Sequence, residues 1–128
     1  MKTKRQIILE TAKKYTSKNR SIFKTLLYTN GESCAYIQGE NKCAVGRCLK
    51  PSSVLFSEKF NVGEGVTSLL SNYIVLDKEL KPSYRGHSID FWDSLQRFHD
   101  WKENWNKNGL TARGKKVLNR LLNTWGEK

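Results

Sequence analysis

Proline, histidine and cysteine are all scarce in this chain of 128 residues: two, two and three respectively. With proline confined to Pro51 and Pro82, no proline-rich linker or low-complexity tract divides the chain. Three cysteines cannot all pair within the chain, which argues against a secreted disulfide framework and for thiols in a reducing compartment. No apolar run approaches the ~20 residues that span a bilayer. The opening Met1-Lys2-Thr3-Lys4-Arg5 is charged but is followed by neither a long apolar region nor a small-residue cleavage site, so a cytoplasmic location and no membrane partner are expected. Missing too are a P-loop, a zinc finger and a paired-carboxylate signature; the Gly63-x-Gly65 pair is too short for a phosphate loop.

What is present in excess is positive charge. The formal net charge is +11, and it is unevenly spread. Residues 1–25 hold eight Lys/Arg against one Glu, and residues 102–128 hold seven against two. The stretch between them, 26–101, holds eight against nine acids and is close to neutral. A neutral body with two basic ends is the electrostatic footprint of a protein that meets a polyanion or an acidic protein surface. The blander explanation is a set of solvated helix faces. Hydrophobic residues make up 38% of the chain, enough for a core, and the length fits one domain over 1–128.

All three cysteines fall in the stretch 34–49, where Ala35, Ile37, Ala44, Val45 and Leu49 surround a polar turn at 38–41. These residue types favour full burial, so the stretch is expected to be a core piece with its cysteines reduced and mostly buried. On its N-terminal side, Ile8, Ala12 and Tyr15 at helical spacing predict a first helix over 4–18. The turn signal Asn30-Gly31 and the polar turn at 38–41 predict short antiparallel strands at 26–29, 34–37 and 42–45, a hairpin or meander. Residues 68–76 are a short apolar segment, expected to be helical at first. Ser88 is a suitable N-cap for a strongly patterned helix over 89–105, with Trp92, Leu95 and His99 on one side and Phe91, Phe98 and Trp105 on an adjoining one. Asn108-Gly109 ends that helix, Thr111 caps a last one reaching Trp125, and Gly126 is its C-cap. The expectation is a compact, mostly helical α+β domain with a small antiparallel sheet around residues 26–46, packed on the 89–105 helix.

Cys34-Ala35-Tyr36, then Lys42-Cys43-Ala44-Val45-Gly46, then Leu95-Gln96-Arg97-Phe98-His99-Asp100 follow one another in an order that resembles a set of small proteins encoded by phages and prophages. Those proteins share a Cys-Ala-Tyr-Arg element, a Lys-Cys-Ala-Val/Ile-Gly element and a Leu-Gln-x-Ile-His-Asp element, and carry no established activity. The likeness spans about residues 20–105 and implies a phage setting more than a chemistry. This chain departs from it at Ile37, where an arginine is usual, and at Arg47-Cys48-Leu49-Lys50-Pro51, where an acidic Ile-Pro-Asp-Glu run is usual. The basic ends lie outside the shared pattern.

Two kinds of site are conceivable. Cys43, His99 and Asp100 supply a thiol, a base and a carboxylate, the residue types of nucleophilic catalysis. Consecutive residues on a helix point about 100° apart, however, which sets Asp100 badly for orienting His99; a structural histidine bonded to a backbone group accounts for the same residues. Zinc on Cys34, Cys43, Cys48 and His99 would lack the tight first knuckle of known structural sites, and no metal or other cofactor is expected. The second kind of site is basic. Arg113, Lys116 and Arg120 form a stripe on the last helix, opposite Val117, Leu118, Leu121, Leu122 and Trp125, and Arg5, Lys13, Lys14, Lys18 and Arg20 supply the other cluster. Trp101, Trp105 and Tyr84 are candidate stacking faces for bases, with core packing as the alternative for each. The leading expectation is a phage-type accessory protein that binds nucleic acid through its basic terminal helices. Behind it stand an inhibitor that touches an acidic host protein, and a small hydrolase or nuclease using His99 with Asp93, Asp100 or Cys43.

Overall fold

The first element of the chain starts where a capping box allows it. Thr3 accepts a hydrogen bond from the Gln6 N–H (3.1 Å), and the Gln6 side chain accepts one from the Thr3 N–H (2.8 Å). Helix α1, Lys4–Lys14, follows. In the computed structural model of the protein, the residues described are 1–19, 22–24, 32–34, 37–38, 41–53 and 76–126. In chain order they form α1, strands β1 (Ile22–Lys24), β2 (Glu32–Cys34), β3 (Ile37–Gln38) and β4 (Asn41–Lys42), a 3-10 turn at Gly46–Cys48 and a single helical turn, α2 (Leu76–Glu79). A second 3-10 turn at Pro82–Tyr84 leads to helix α3 (Ile89–Asp100), strands β5 (Trp105–Asn106) and β6 (Gly109–Leu110), and helix α4 (Ala112–Trp125).

This is the expected mostly helical α+β architecture, with different boundaries. Helix α1 stops at Lys14 rather than 18, because the Asn19 side chain takes over its end: Nδ2 donates to the Lys14 carbonyl (2.9 Å) and Oδ1 accepts from the Thr16 N–H (2.7 Å). Antiparallel pairing occurs just before and within 26–46 in two separate pairs, Ile22 opposite Cys34 and Ile37 opposite Lys42. Residues 43–45 turn inward instead of continuing a strand. The segments expected as a strand at 26–29 and as a helix from 68 to 75 lie outside the described residues.

Helix α3 begins as expected, with the Ser88 side chain accepting from the Phe91 N–H (3.2 Å), but ends at Asp100 instead of 105. Its last carbonyls are claimed by side chains from farther on. Asn104 Nδ2 donates to the Phe98 carbonyl (3.0 Å), and the Trp105 indole N–H donates to the His99 carbonyl (3.0 Å). The Asn108-Gly109 pair is therefore not a helix terminus but the corner of the β5–β6 hairpin, where Gly109 adopts φ +128, a conformation other residues rarely take. Thr111 then caps α4 through the Gly114 N–H (3.0 Å), and α4 ends at Trp125 with Gly126 as its C-cap.

Contacts at the helix ends give their relative directions. The Lys4 ammonium lies over the Trp125 ring (5.3 Å), and the Phe91 ring meets the same indole (5.8 Å), so the starts of α1 and α3 sit at the end of α4. At the other end Tyr15 meets His99 (4.7 Å), and the Ser17 N–H donates to the Asn106 carbonyl (2.9 Å) shortly before α4 begins. Helices α1 and α3 thus run alongside each other and α4 runs against both, while β2 packs on α3. One core fills the space between, joining Ile7, Ile8 and Tyr15 to the buried residues of 43–49 and to Phe91, Trp92, Leu95 and Phe98.

The tightest approach in this packing is at Gly114, where α4 crosses the 3-10 turn at Lys102–Asn104. A Cβ there would lie 2.2 Å from the Asn104 carbonyl oxygen, a backbone atom that cannot swing aside. Gly114→Ala therefore sets two effects against each other. Helix propensity favours alanine by about 1 kcal/mol, and overpacking against a fixed neighbour costs about 1–3 kcal/mol or more. A net loss is expected, read as a lower denaturant midpoint at unchanged slope.

Candidate functional site

The sequence brings its two best-patterned motifs together at one buried joint. Residues 43–49 enter the core as an irregular turn with Cys43, Ala44, Val45, Cys48 and Leu49 all buried. Gln96, buried on α3, accepts from the Val45 N–H (3.1 Å) and donates to Asp100 Oδ1 (2.8 Å). Asp100 Oδ1 also lies 2.8 Å from His99 Nδ1. This corrects the expectation from helix geometry: the carboxylate does reach the ring of its own neighbour, because it is drawn to the spot by Gln96, one turn earlier on the same helix. From the other side, the Tyr15 hydroxyl donates to the Lys42 carbonyl (2.6 Å), and its ring stands edge-on to His99. Burial pushes the Tyr15 phenol above its ordinary pKa, so it stays a donor throughout the physiological range.

For chemistry, a base or nucleophile must reach its substrate. His99 and Cys43 are each 0% exposed. Cys43 Sγ accepts from the Gly46 N–H (3.2 Å), and the Cys48 thiol donates to the Ala44 carbonyl (3.5 Å). Burial pushes the Cys48 thiol up to about 12, against the opposing pull of Arg47, which keeps it un-ionised and unreactive. Asp93, the remaining candidate, is half-buried and paired with Arg97 (3.0 Å). In this arrangement the Cys/His/Asp set organises the core joint. Among the described residues no three His, Cys, Asp or Glu side chains are grouped to hold a metal ion.

One residue was overlooked by reading the sequence. Arg47, in the middle of the buried turn, sends its guanidinium back to α1. It donates to Thr11 Oγ1 (2.9 Å), to the Ile7 carbonyl (3.3 Å) and to Glu10 Oε1 (3.2 Å). The Tyr84 hydroxyl donates to the same Glu10 oxygen (3.0 Å), and Lys2 pairs with the other. Burial alone would raise the Glu10 pKa, but Lys2, Tyr84 and Arg47 together outweigh it and hold the carboxyl below its ordinary value. The available signal was that Glu10 is the lone acid among residues 1–25.

The basic residues separate into those the fold gathers and those it does not. Lys13, Lys14 and Lys18 lie at the end of α1, Lys107 lies in the β5–β6 turn beside it, and Arg113 and Lys116 lie in the first turns of α4. All six side chains are exposed, at the same end of the three-helix layer, with Lys102 and the carboxylate of Glu103 nearby. Arg120 is exposed farther along α4, on the same stripe. Arg5 is exposed at the opposite end of α1, roughly 12 Å from Lys13 at the usual rise per residue. Arg20 lies outside the described residues. Of the three aromatic candidates for stacking, Trp105 and Tyr84 are only 4% and 7% exposed and serve the core. Trp101 is 52% exposed and carries the Arg113 guanidinium over its ring at 5.2 Å.

No protein-family model matches the chain, and no curated protein or solved structure matches it either. Its site must be read from its own residues, and two outcomes follow. Replacing His99 by Ala removes a fully buried ring beside Tyr15 and is expected to cost about 2–4 kcal/mol of stability, measured by chemical denaturation. Glu10 gives a pH dependence of definite sign. Its folded pKa is depressed, so its contribution is present above the ordinary carboxyl value near 4.5 and is lost as pH falls through the lower folded value. Glu10→Gln is expected to lower stability at neutral pH by about 1 kcal/mol, allowing for partial exposure, and to flatten the acid limb of a plot of Tm against pH.

Proposed function

We propose that this chain is a small phage-type accessory protein that binds nucleic acid through the basic pole formed by the end of α1, the β5–β6 turn and the start of α4. The observation that carries the reading is the antiparallel packing of α1 and α4. It brings Lys13, Lys14 and Lys18 close to Arg113 and Lys116, although about a hundred residues separate the two groups in sequence. Lysine and arginine side chains that share one end of a rigid layer act on the same stretch of a polyanion, and each phosphate they neutralise releases counterions. Their separation from the apolar side of α4 supports a binding role: Leu121 is buried and Val117, Leu118, Leu122 and Trp125 pack against the core, leaving Arg113, Lys116 and Arg120 in water. The phage setting rests on the three-motif resemblance, two of whose elements meet at Val45 and Gln96.

The test is a salt titration. Replacing Arg113, Lys116 and Arg120 together by Ser is expected to leave Tm nearly unchanged, since exposed substitutions are usually within about 0.5 kcal/mol each. The same change is expected to weaken binding of labelled oligonucleotides and to reduce the log–log salt slope by about 0.7–0.9 for each phosphate that is no longer neutralised. Absence of binding at low salt would overturn the proposal and turn attention to an acidic host protein as the partner. Binding with an undiminished slope in the triple variant would move the binding surface to Lys13, Lys14 and Lys18.

A further inference from the structure

Trp101 is held in an unusual place for an indole. Its backbone is fixed on both sides, the N–H donating to the Arg97 carbonyl (3.1 Å) and the carbonyl accepting from the Asn104 N–H (3.0 Å). Yet its side chain stays 52% exposed, and apart from Met1 it is the large apolar side chain left in water among the described residues. It stands at the C-cap of α3, at the same end of the molecule as the basic groups, with exposed Lys102 next in sequence and the Arg113 guanidinium 5.2 Å above its ring. The arrangement is a backbone-anchored aromatic face with the cations Lys102 and Arg113 beside it and the carboxylates of Asp100 and Glu103 close by in sequence.

We infer that Trp101 is a stacking platform for an unpaired base and that the basic pole therefore takes single-stranded nucleic acid in preference to duplex. This inference rests on the nucleic-acid reading above and narrows its ligand. A duplex offers its phosphates to the lysines but keeps its base faces stacked on one another, leaving only edges in the grooves. A single strand offers both a phosphate and a free base face to each site, and base–aromatic stacking adds to the electrostatic attraction with little regard to sequence. Arg113 fits the same role. A guanidinium lies flat on either an indole or a base, so it is placed to close over a base that enters beside Trp101 while also meeting the neighbouring phosphate. The backbone anchoring of Trp101 keeps the platform in place before the ligand arrives, so little ordering has to accompany binding.

The experiment compares a labelled mixed-sequence single strand with the duplex it forms with its complement, at one low salt concentration, on the full chain. Wild type is expected to bind the single strand more tightly. Trp101→Ala is expected to lose about 5- to 150-fold on the single strand, the equivalent of about 1–3 kcal/mol per stacked base, and to lose little on the duplex. Trp101→Phe keeps an aromatic face and is expected to recover most of the single-strand affinity. Quenching of tryptophan fluorescence by the single strand is expected in wild type and to be largely lost in both variants, since Trp92 and Trp105 are buried and Trp125 is half-buried. Thermal midpoints of the variants close to wild type exclude misfolding as the cause. Equal single-strand affinity in wild type and Trp101→Ala, or equal losses on both ligands, overturns the platform while leaving the broader nucleic-acid reading intact. No binding of either ligand by wild type overturns both, and leaves the Trp101–Arg113 pair as a docking point for a protein.

Discussion

The structure depends on satisfying the backbone of a buried turn. Residues 43–49 have almost no exposed surface and no regular ladder to pair their polar groups, and each unpaired buried group would cost about 1–3 kcal/mol. The molecule meets that demand from several elements at once. Within the turn, Cys43 and Val45 carbonyls accept from the Arg47 and Cys48 N–H groups, and the Gly46 carbonyl from that of Leu49. From outside, Gln96 takes the Val45 N–H, Tyr15 reaches the Lys42 carbonyl, and Lys81 donates its own N–H to the Cys48 carbonyl. Helices α1 and α3 and the segment after α2 are therefore tied to the same turn by one set of hydrogen bonds.

Arg47 extends the same constraint outward. It is the turn's one charged side chain, and with that side chain only 11% exposed it needs partners. It finds them on α1, in Thr11, Glu10 and the Ile7 carbonyl, with Tyr84 joining through the Glu10 carboxylate. The polar cluster thus lies along α1 between Ile7 and Thr11, whereas the exposed cations Lys13, Lys14, Lys18, Arg113 and Lys116 lie at the end of α1 and the start of α4. Positive charge plays two separate parts in this protein. At Arg47 it is compensated and holds elements together; at the basic pole it is left in solvent.

Much of the local structure was readable because its causes are local. Ser88 and Thr111 act as caps where they were expected, since a hydroxyl before a helix can satisfy an N–H only three residues away. The apolar side of α4 and the burial of residues 43–49 followed from spacing and residue type. Failures came where a distant side chain intervened. Helix α3 ends five residues early because Asn104 and Trp105 fold back on its carbonyls, and Asp100 reaches His99 because Gln96 draws it there. Trp105 and Tyr84 are candidate surface aromatics by sequence; in the fold both rings are buried and their polar atoms bond the His99 carbonyl and the Glu10 carboxylate.

The sequence by itself determined the helical character of the chain, the burial of residues 43–49 with Cys43 and Cys48, and the presence of two basic ends, since composition, periodicity and capping act over a few residues. Only the tertiary structure decided that those ends meet, that Arg5 falls away from them, and that Trp101 alone of three candidate aromatics stays in water. The physical reason is that periodicity specifies which side of a helix is apolar but not which neighbour covers it. The direction of α4 against α1 and α3 is set by pairs such as Lys4 with Trp125 and Ser17 with Asn106, between residues that nothing in their local sequence joins.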